Sequence, residues 1–156
     1  MKSKFMKNLF LLLFSLTYFL GISQTKLESL VFDEINQYRV ENGLSKVTWD
    51  NCPYKAAKNQ TNYIDKTGDY GHTQQNSTFE NPSKRLMYYG CGDGYAENIL
   101  IHEHLSNLSE KDLAKEIVKI WKKSDLHNKN LLMSSDWVSI GAISISDKSA
   151  CLILQP

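Results

Sequence analysis

WVSIGAISISDKSACLIL, residues 137–154, is the stretch whose reading decides the fold. Its two runs, 137–145 and 150–154, alternate apolar with small residues or are continuously apolar, and four residues around Asp147 separate them. That pattern predicts a β-hairpin with one buried face. Upstream the period changes. Leu27, Leu30, Val31, Ile35 and Tyr38 mark one face of a helix over residues 26–42, ended by Gly43, where a positive φ costs glycine least. A second helix is opened by Asp50 or Asn51, carries Pro53 in its first turn and Ala56, Ala57, Gln60, Tyr63 and Ile64 on its inner face, and stops at Gly68. A short helical piece is expected over 82–89, followed by the glycine-rich turn 90–94 and an extended segment from Ala96 to Leu100. Ser109 with Asp112 three residues on resembles a capping box, opening a helix that turns Leu113, Ile117, Ile120 and Trp121 inward. Helices first and hairpin last give an α+β domain, with helices packed on an antiparallel sheet.

The N-terminus reads differently. Lys2, Lys4 and Lys7 precede an apolar run from Leu9 to Leu20, and Gly21-Ile22-Ser23 supplies small residues at the positions a signal peptidase requires. Residues 1–23 are therefore expected to be a secretory signal, which leaves 24–156 as a single domain in the periplasm or outside the cell. The apolar run is shorter than the roughly 20 residues of a spanning helix, so no lasting membrane anchor is expected. The signal would remove three of the 18 basic residues and none of the 17 acidic ones, leaving 15 against 17 and a net charge of −2. No basic face for nucleic acid is implied.

Cys52, Cys91 and Cys151 allow at most one internal bridge, and their spacing does not say which pair closes. No CxxC pair points to a zinc cluster of cysteines. The Asn-x-Ser/Thr triplets at Asn59, Asn76 and Asn107 read as chance occurrences in a chain rich in asparagine and lysine.

The order of short motifs is more specific than any one of them. Asn36-x-Tyr38-Arg39 and Gly43-Leu44 come first, then Val47-x-Trp49-Asp50, Gly71-His72 and Ala96-Glu97-Asn98-Ile99. Trp121-x-x-Ser124-x-x-His127, Asn130-Leu131-Leu132 and Ile140-Gly141 complete the series. This order resembles the CAP superfamily, also called the SCP domain, from about residue 30 to the C-terminus. The resemblance implies an α-β-α sandwich whose cleft is lined by two histidines and two acidic residues. Carried over by position, these fall on His72, Glu97 and His127, while the second acidic position holds Ser124, as in the bacterial branch of the family.

Those residues suit metal chemistry, since imidazole is a common neutral ligand for zinc or copper. Two histidines and a carboxylate would make three ligands with an open site. His72 and His127 are the candidate metal ligands, and zinc is the candidate cofactor. Each residue also has a plain structural reading. His127 could cap a helix C-terminus, Glu97 could brace a loop, and Trp121 is expected in the core. Ser124 and His127 at a three-residue spacing could touch on one helix, yet no nucleophile elbow or oxyanion-hole glycines accompany them. His102 and His104 would share a face on a strand and be solvated on a loop, the reading preferred for them.

The function expected is a monomeric, exported, non-catalytic binding domain whose cleft takes a peptide, glycan, lipid or divalent metal. The first alternative is a zinc-dependent hydrolase of envelope or host polymers with Glu97 as general base. The second is a sterol or fatty-acid carrier.

Overall fold

A computed structural model describes residues 24–105 and 107–156; the expected signal, residues 1–23, lies outside the described residues. Helix α1, Lys26–Glu41, begins at a capping box in which the Thr25 side chain accepts from the Glu28 N–H and the Glu28 side chain accepts from the Thr25 N–H. Glu28 is buried and reaches further. Its Oε1 accepts from the Ile145 N–H at 3.1 Å and from the Tyr54 hydroxyl at 3.3 Å. Burial, with the Glu28 charge beside it, pushes Tyr54 up to about 12. The helix stops at Asn42, and Gly43 turns the chain with φ +75°.

After β1, Thr48–Trp49, comes α2, Asn51–Thr67, with Asp50 as its N-cap and left-handed Gly68 as its C-cap. Helix α3, Pro82–Tyr88, is capped by Asn81 and leads through the glycine-rich turn into β2, Ala96–Ile101. A single 3-10 turn, Glu103–Leu105, then α4, Glu110–Lys123, and α5, Asp125–Leu131, precede the hairpin of β3, Ile140–Ile145, and β4, Ser149–Gln155.

The sheet order is β1-β3-β4-β2, with β1 parallel to β3 and the other pairs antiparallel. Side chains of β4 alternate between two apolar layers. Ala150, Leu152 and Leu154 join the core under α1 and α4, while Cys151 and Ile153 join Ala56, Ala57 and Leu86 under α2 and α3. The hairpin is therefore buried on both faces, not one, and all seven residues of β4 are buried. It also starts later than its sequence pattern suggests, since Trp137 sits in a turn ahead of β3 and is 37% exposed. Helices on both faces of a mainly antiparallel sheet make an α-β-α sandwich.

The motif residues turn out to be joints of this frame. Asn36 exchanges two hydrogen bonds with the Val47 backbone, at 3.0 and 2.7 Å, and so fixes the approach to β1. Arg39 is fully buried and donates to the carbonyls of Ser45, Leu131 and Met133, tying α1 to the end of α5. Gly141 has no room for a side chain: a Cβ there would lie 2.7 Å from Leu154 Cδ2 and 3.0 Å from the Ile153 carbonyl oxygen. Cys52 and Cys91 form the disulfide, which joins the first turn of α2 to the glycine-rich turn after α3. Cys151 is a buried free thiol.

Candidate functional site

Two consecutive residues of β2 organise the site. Pleating sends the Glu97 side chain toward the α2–α3 layer and the Asn98 side chain toward the α4–α5 layer. Glu97 Oε1 meets His72 Nδ1 at 2.8 Å, and Oε2 accepts from Arg85 Nη2 at 2.6 Å. Asn98 Nδ2 donates to the His127 carbonyl oxygen at 3.1 Å, and Asn130 Nδ2 donates to both Asn98 Oδ1 and the Glu97 carbonyl. One edge strand thus holds a histidine-bearing segment from each layer.

The His72 loop is polar and mostly exposed; Phe79 at its far end packs on Tyr88 and Tyr89, and hydrogen bonds fix the rest. Gln60 Nε2 donates to the Gly71 carbonyl at 2.6 Å, and Gln74 Nε2 donates to Gln60 Oε1 and Asn59 Oδ1. Arg85 Nη1 donates to the carbonyls of His72 and Phe79, at 3.2 and 3.3 Å.

Burial separates the two ends of the His72–Glu97 pair. The Glu97 side chain is 1% exposed and the His72 side chain 51%. The bond to Glu97 raises the His72 pKa, against burial and the Arg85 charge, which lower it. His127 moves the other way: burial lowers its pKa first, then the charge of His72. Cys151 Sγ lies 3.4 Å from Glu97 Oε2, and burial, then the Glu97 charge, pushes that thiol well above its ordinary value.

Several expectations change here. Helix α4 ends at Ser124, whose φ −97° and ψ 117° are extended, so Trp121 and His127 lie on different helices. The even three-residue spacing runs across a break. Ser124 therefore does not share a helix face with His127, and among the described residues its side chain makes no capping bond. His127 sits in the first turn of α5, which removes the C-terminal cap reading. Trp121 is fully buried, as expected, with Nε1 3.4 Å from the Ile99 carbonyl oxygen. His102 and His104 do not form a shared face. His102 is buried at the end of β2, where its N–H bonds to the Lys148 carbonyl, and His104 is exposed on the 3-10 turn.

The ligand set of two histidines plus Glu97 does not assemble either. Both Glu97 oxygens are committed to His72 and Arg85, and among the described residues no three of the His, Cys, Asp and Glu side chains are grouped to hold a metal ion. What the donors fit is narrower. A ring whose Nδ1 faces a carboxylate leaves Nε2 for a ligand, the arrangement in which metal-binding histidines are held from behind.

Arg85 carries no motif in the sequence, and nothing in the sequence marks Cys151 or Gln60 as neighbours of this site. One signal was there for Arg85: among 18 basic residues only Arg39 and Arg85 are arginines, and both are fully buried. Among the described residues no lysine is buried. Arginine is kept where a planar fork is needed.

A model of the CAP family, the cysteine-rich secretory proteins, matches residues 32–153. The chain belongs to this family. Its fold is shared by an extracellular protein of Bacillus anthracis str. Ames containing an SCP domain, with a TM-score of 0.69, 20% identity, and coverage of 83% of this chain and 40% of that one. An outer surface protein of Borrelia burgdorferi follows with a TM-score of 0.66 and 15% identity, over 85% of this chain and 94% of that one. A cysteine-rich secretory protein of Staphylococcus aureus gives a TM-score of 0.59 and 14% identity, over 83% and 38%. The chain thus spans less than half of the Bacillus and Staphylococcus chains. No curated protein gives a significant sequence match. At these identities the structural likeness speaks for the CAP fold, whose site must be read from its own residues.

Proposed function

We propose that this CAP domain is an exported binding module whose cleft engages its ligand through the imidazoles of His72 and His127 without turning it over. Export is supported by the leader-like segment 1–23 and agrees with the extracellular and outer-surface descriptions of the Bacillus and Borrelia proteins. Among the described residues no helix is long and apolar enough to cross a membrane.

The observation that carries the reading is His72 Nδ1 against a buried carboxylate at 2.8 Å, with the His72 side chain half exposed. Two imidazoles with no free carboxylate suit zinc or copper and not calcium or magnesium, which prefer oxygen ligands. His72 and His127 would hold the metal, and a bound zinc ion would supply Lewis-acid polarisation. Hydrolysis is less well supported. A general base must reach a water, and Glu97 is 1% exposed with both oxygens engaged. Sterol carriage needs an apolar groove, whereas the depression of about 520 Å³ beside α1 is lined by Asp33, Gln37, Val40, Glu41 and Lys46.

Equilibrium dialysis of zinc against the protein, His72→Ala and His127→Ala tests the reading. Each substitution is expected to weaken retention at least tenfold, and equal retention in all three would remove the metal site.

A further inference from the structure

Arg85 stands at the crossing of three segments: its own helix α3, strand β2 and the loop that carries His72. It is fully buried, while its neighbour Lys84 is on the surface in an ion pair with Glu80. Its two terminal nitrogens divide their work. Nη2 holds Glu97 Oε2 at 2.6 Å, and Nη1 spans the His72 and Phe79 carbonyls at 3.2 and 3.3 Å. The first contact orients the carboxylate that faces His72 Nδ1. The second closes both ends of the loop that carries His72.

We propose that Arg85 is the positioning residue of the cleft: by holding Glu97 and both ends of the 72–79 loop at once, it fixes the His72 ring with Nδ1–H on Glu97 and Nε2 turned to the ligand.

The chemistry follows from the donor inventory. A carboxylate already bonded to a guanidinium through Oε2 offers Oε1 as an acceptor, so the neutral imidazole in contact with it carries its proton on Nδ1. The lone pair is then on Nε2. Remove the fork and Oε2 keeps only the weak contact with Cys151 Sγ at 3.4 Å. The His72 carbonyl also loses its partner, and the ring is freed to rotate and exchange tautomers. A lysine could replace the charge and one contact but not three contacts in fixed directions. The buried Nε of Arg85 has no hydrogen-bond partner among the described residues, so the stabilisation comes through the two terminal nitrogens. The inference rests on His72 being the working imidazole of the cleft. It does not require that the ligand be a metal.

The test uses metal-free, 15N-labelled protein, in which long-range 1H–15N correlation reports which imidazole nitrogen of neutral His72 bears the proton. The expected result is Nδ1–H in the unsubstituted protein, a shift toward Nε2–H in Arg85→Met, and an intermediate population in Arg85→Lys. Backbone amide spectra confirm that each variant is folded. A role confined to core stability would lower the melting temperature and leave the tautomer unchanged. Nε2–H in the unsubstituted protein overturns the proposal without any variant, as does an unchanged Nδ1–H population in folded Arg85→Met. Should Arg85→Met fail to fold, Arg85→Lys decides, and a tautomer population equal to that of the unsubstituted protein overturns the proposal. Because no metal is present, failure of the metal reading leaves this result untouched.

Discussion

His72 and His127 carry the same ring in opposite surroundings. The Glu97 hydrogen bond favours the cation of His72, whereas burial and the His72 charge disfavour the cation of His127. The linkage signs are opposite. His72 contributes stability that is complete below the ordinary imidazole value and is lost as pH rises through its raised folded value. His127 is a burden below its lowered folded value, and the burden is lifted as pH rises to the ordinary value. In metal-free protein, an NMR titration should therefore show His72 above and His127 below an ordinary histidine. In His72→Asn the His127 midpoint should move up, because one of its two depressing causes is gone. A His127 midpoint that does not move would contradict the proximity of the two rings. The candidate histidines and Glu97 were legible because they sit in motifs. Arg85 was not, because seven residues of α3 are too few to show a helical period and an arginine beside a lysine looks like surface charge. Its real signal was rarity, one of two arginines in the chain.

At the level of elements, legibility followed local chemistry. Asp50 and Gly68 bound α2, and Ser109 with Asp112 opens α4, because caps act within one turn of chain. The break at Ser124 had no such marker. Nothing in Trp-x-x-Ser-x-x-His tells one helix from two, since Asp125 and Leu126 are as acceptable inside a helix as in its first turn. The second covered face of the hairpin was missed for another reason: β4 reads Ala150-Cys151-Leu152-Ile153-Leu154, which is apolar at every position and therefore silent about how many layers cover it. Gly141 shows what tight layering demands. Its φ is unremarkable, but the space where a Cβ would go is taken by Leu154, the Ile153 carbonyl and Val47 Cγ1 at 3.2 Å. Leu154 could shift its methyl; the β4 backbone oxygen could not without opening the β3–β4 ladder. Gly141→Ala should cost about 1–3 kcal/mol in a urea melt, as overpacking of a filled core does. A change under about 0.5 kcal/mol, the range of surface substitutions, would mean that the sandwich is looser than described.

Over the whole molecule, the frame and the proposed site are one construction. Arg39 and Asn36 tie α1 to α5 and β1, and the disulfide ties α2 to the turn after α3. Helix α5 and the His72 loop are thereby held on either side of β2, whose residues 97 and 98 grip them from opposite faces. The two histidines are 55 positions apart in the chain, and in the proposed site only the layered fold can bring their rings together. That convergence is the central claim, and a copper ion can count it. With one equivalent of Cu(II), electron paramagnetic resonance of the protein should show nitrogen couplings from two imidazoles, falling to one in His72→Ala and in His127→Ala. Nitrogen couplings that are the same in the protein and both variants would contradict it.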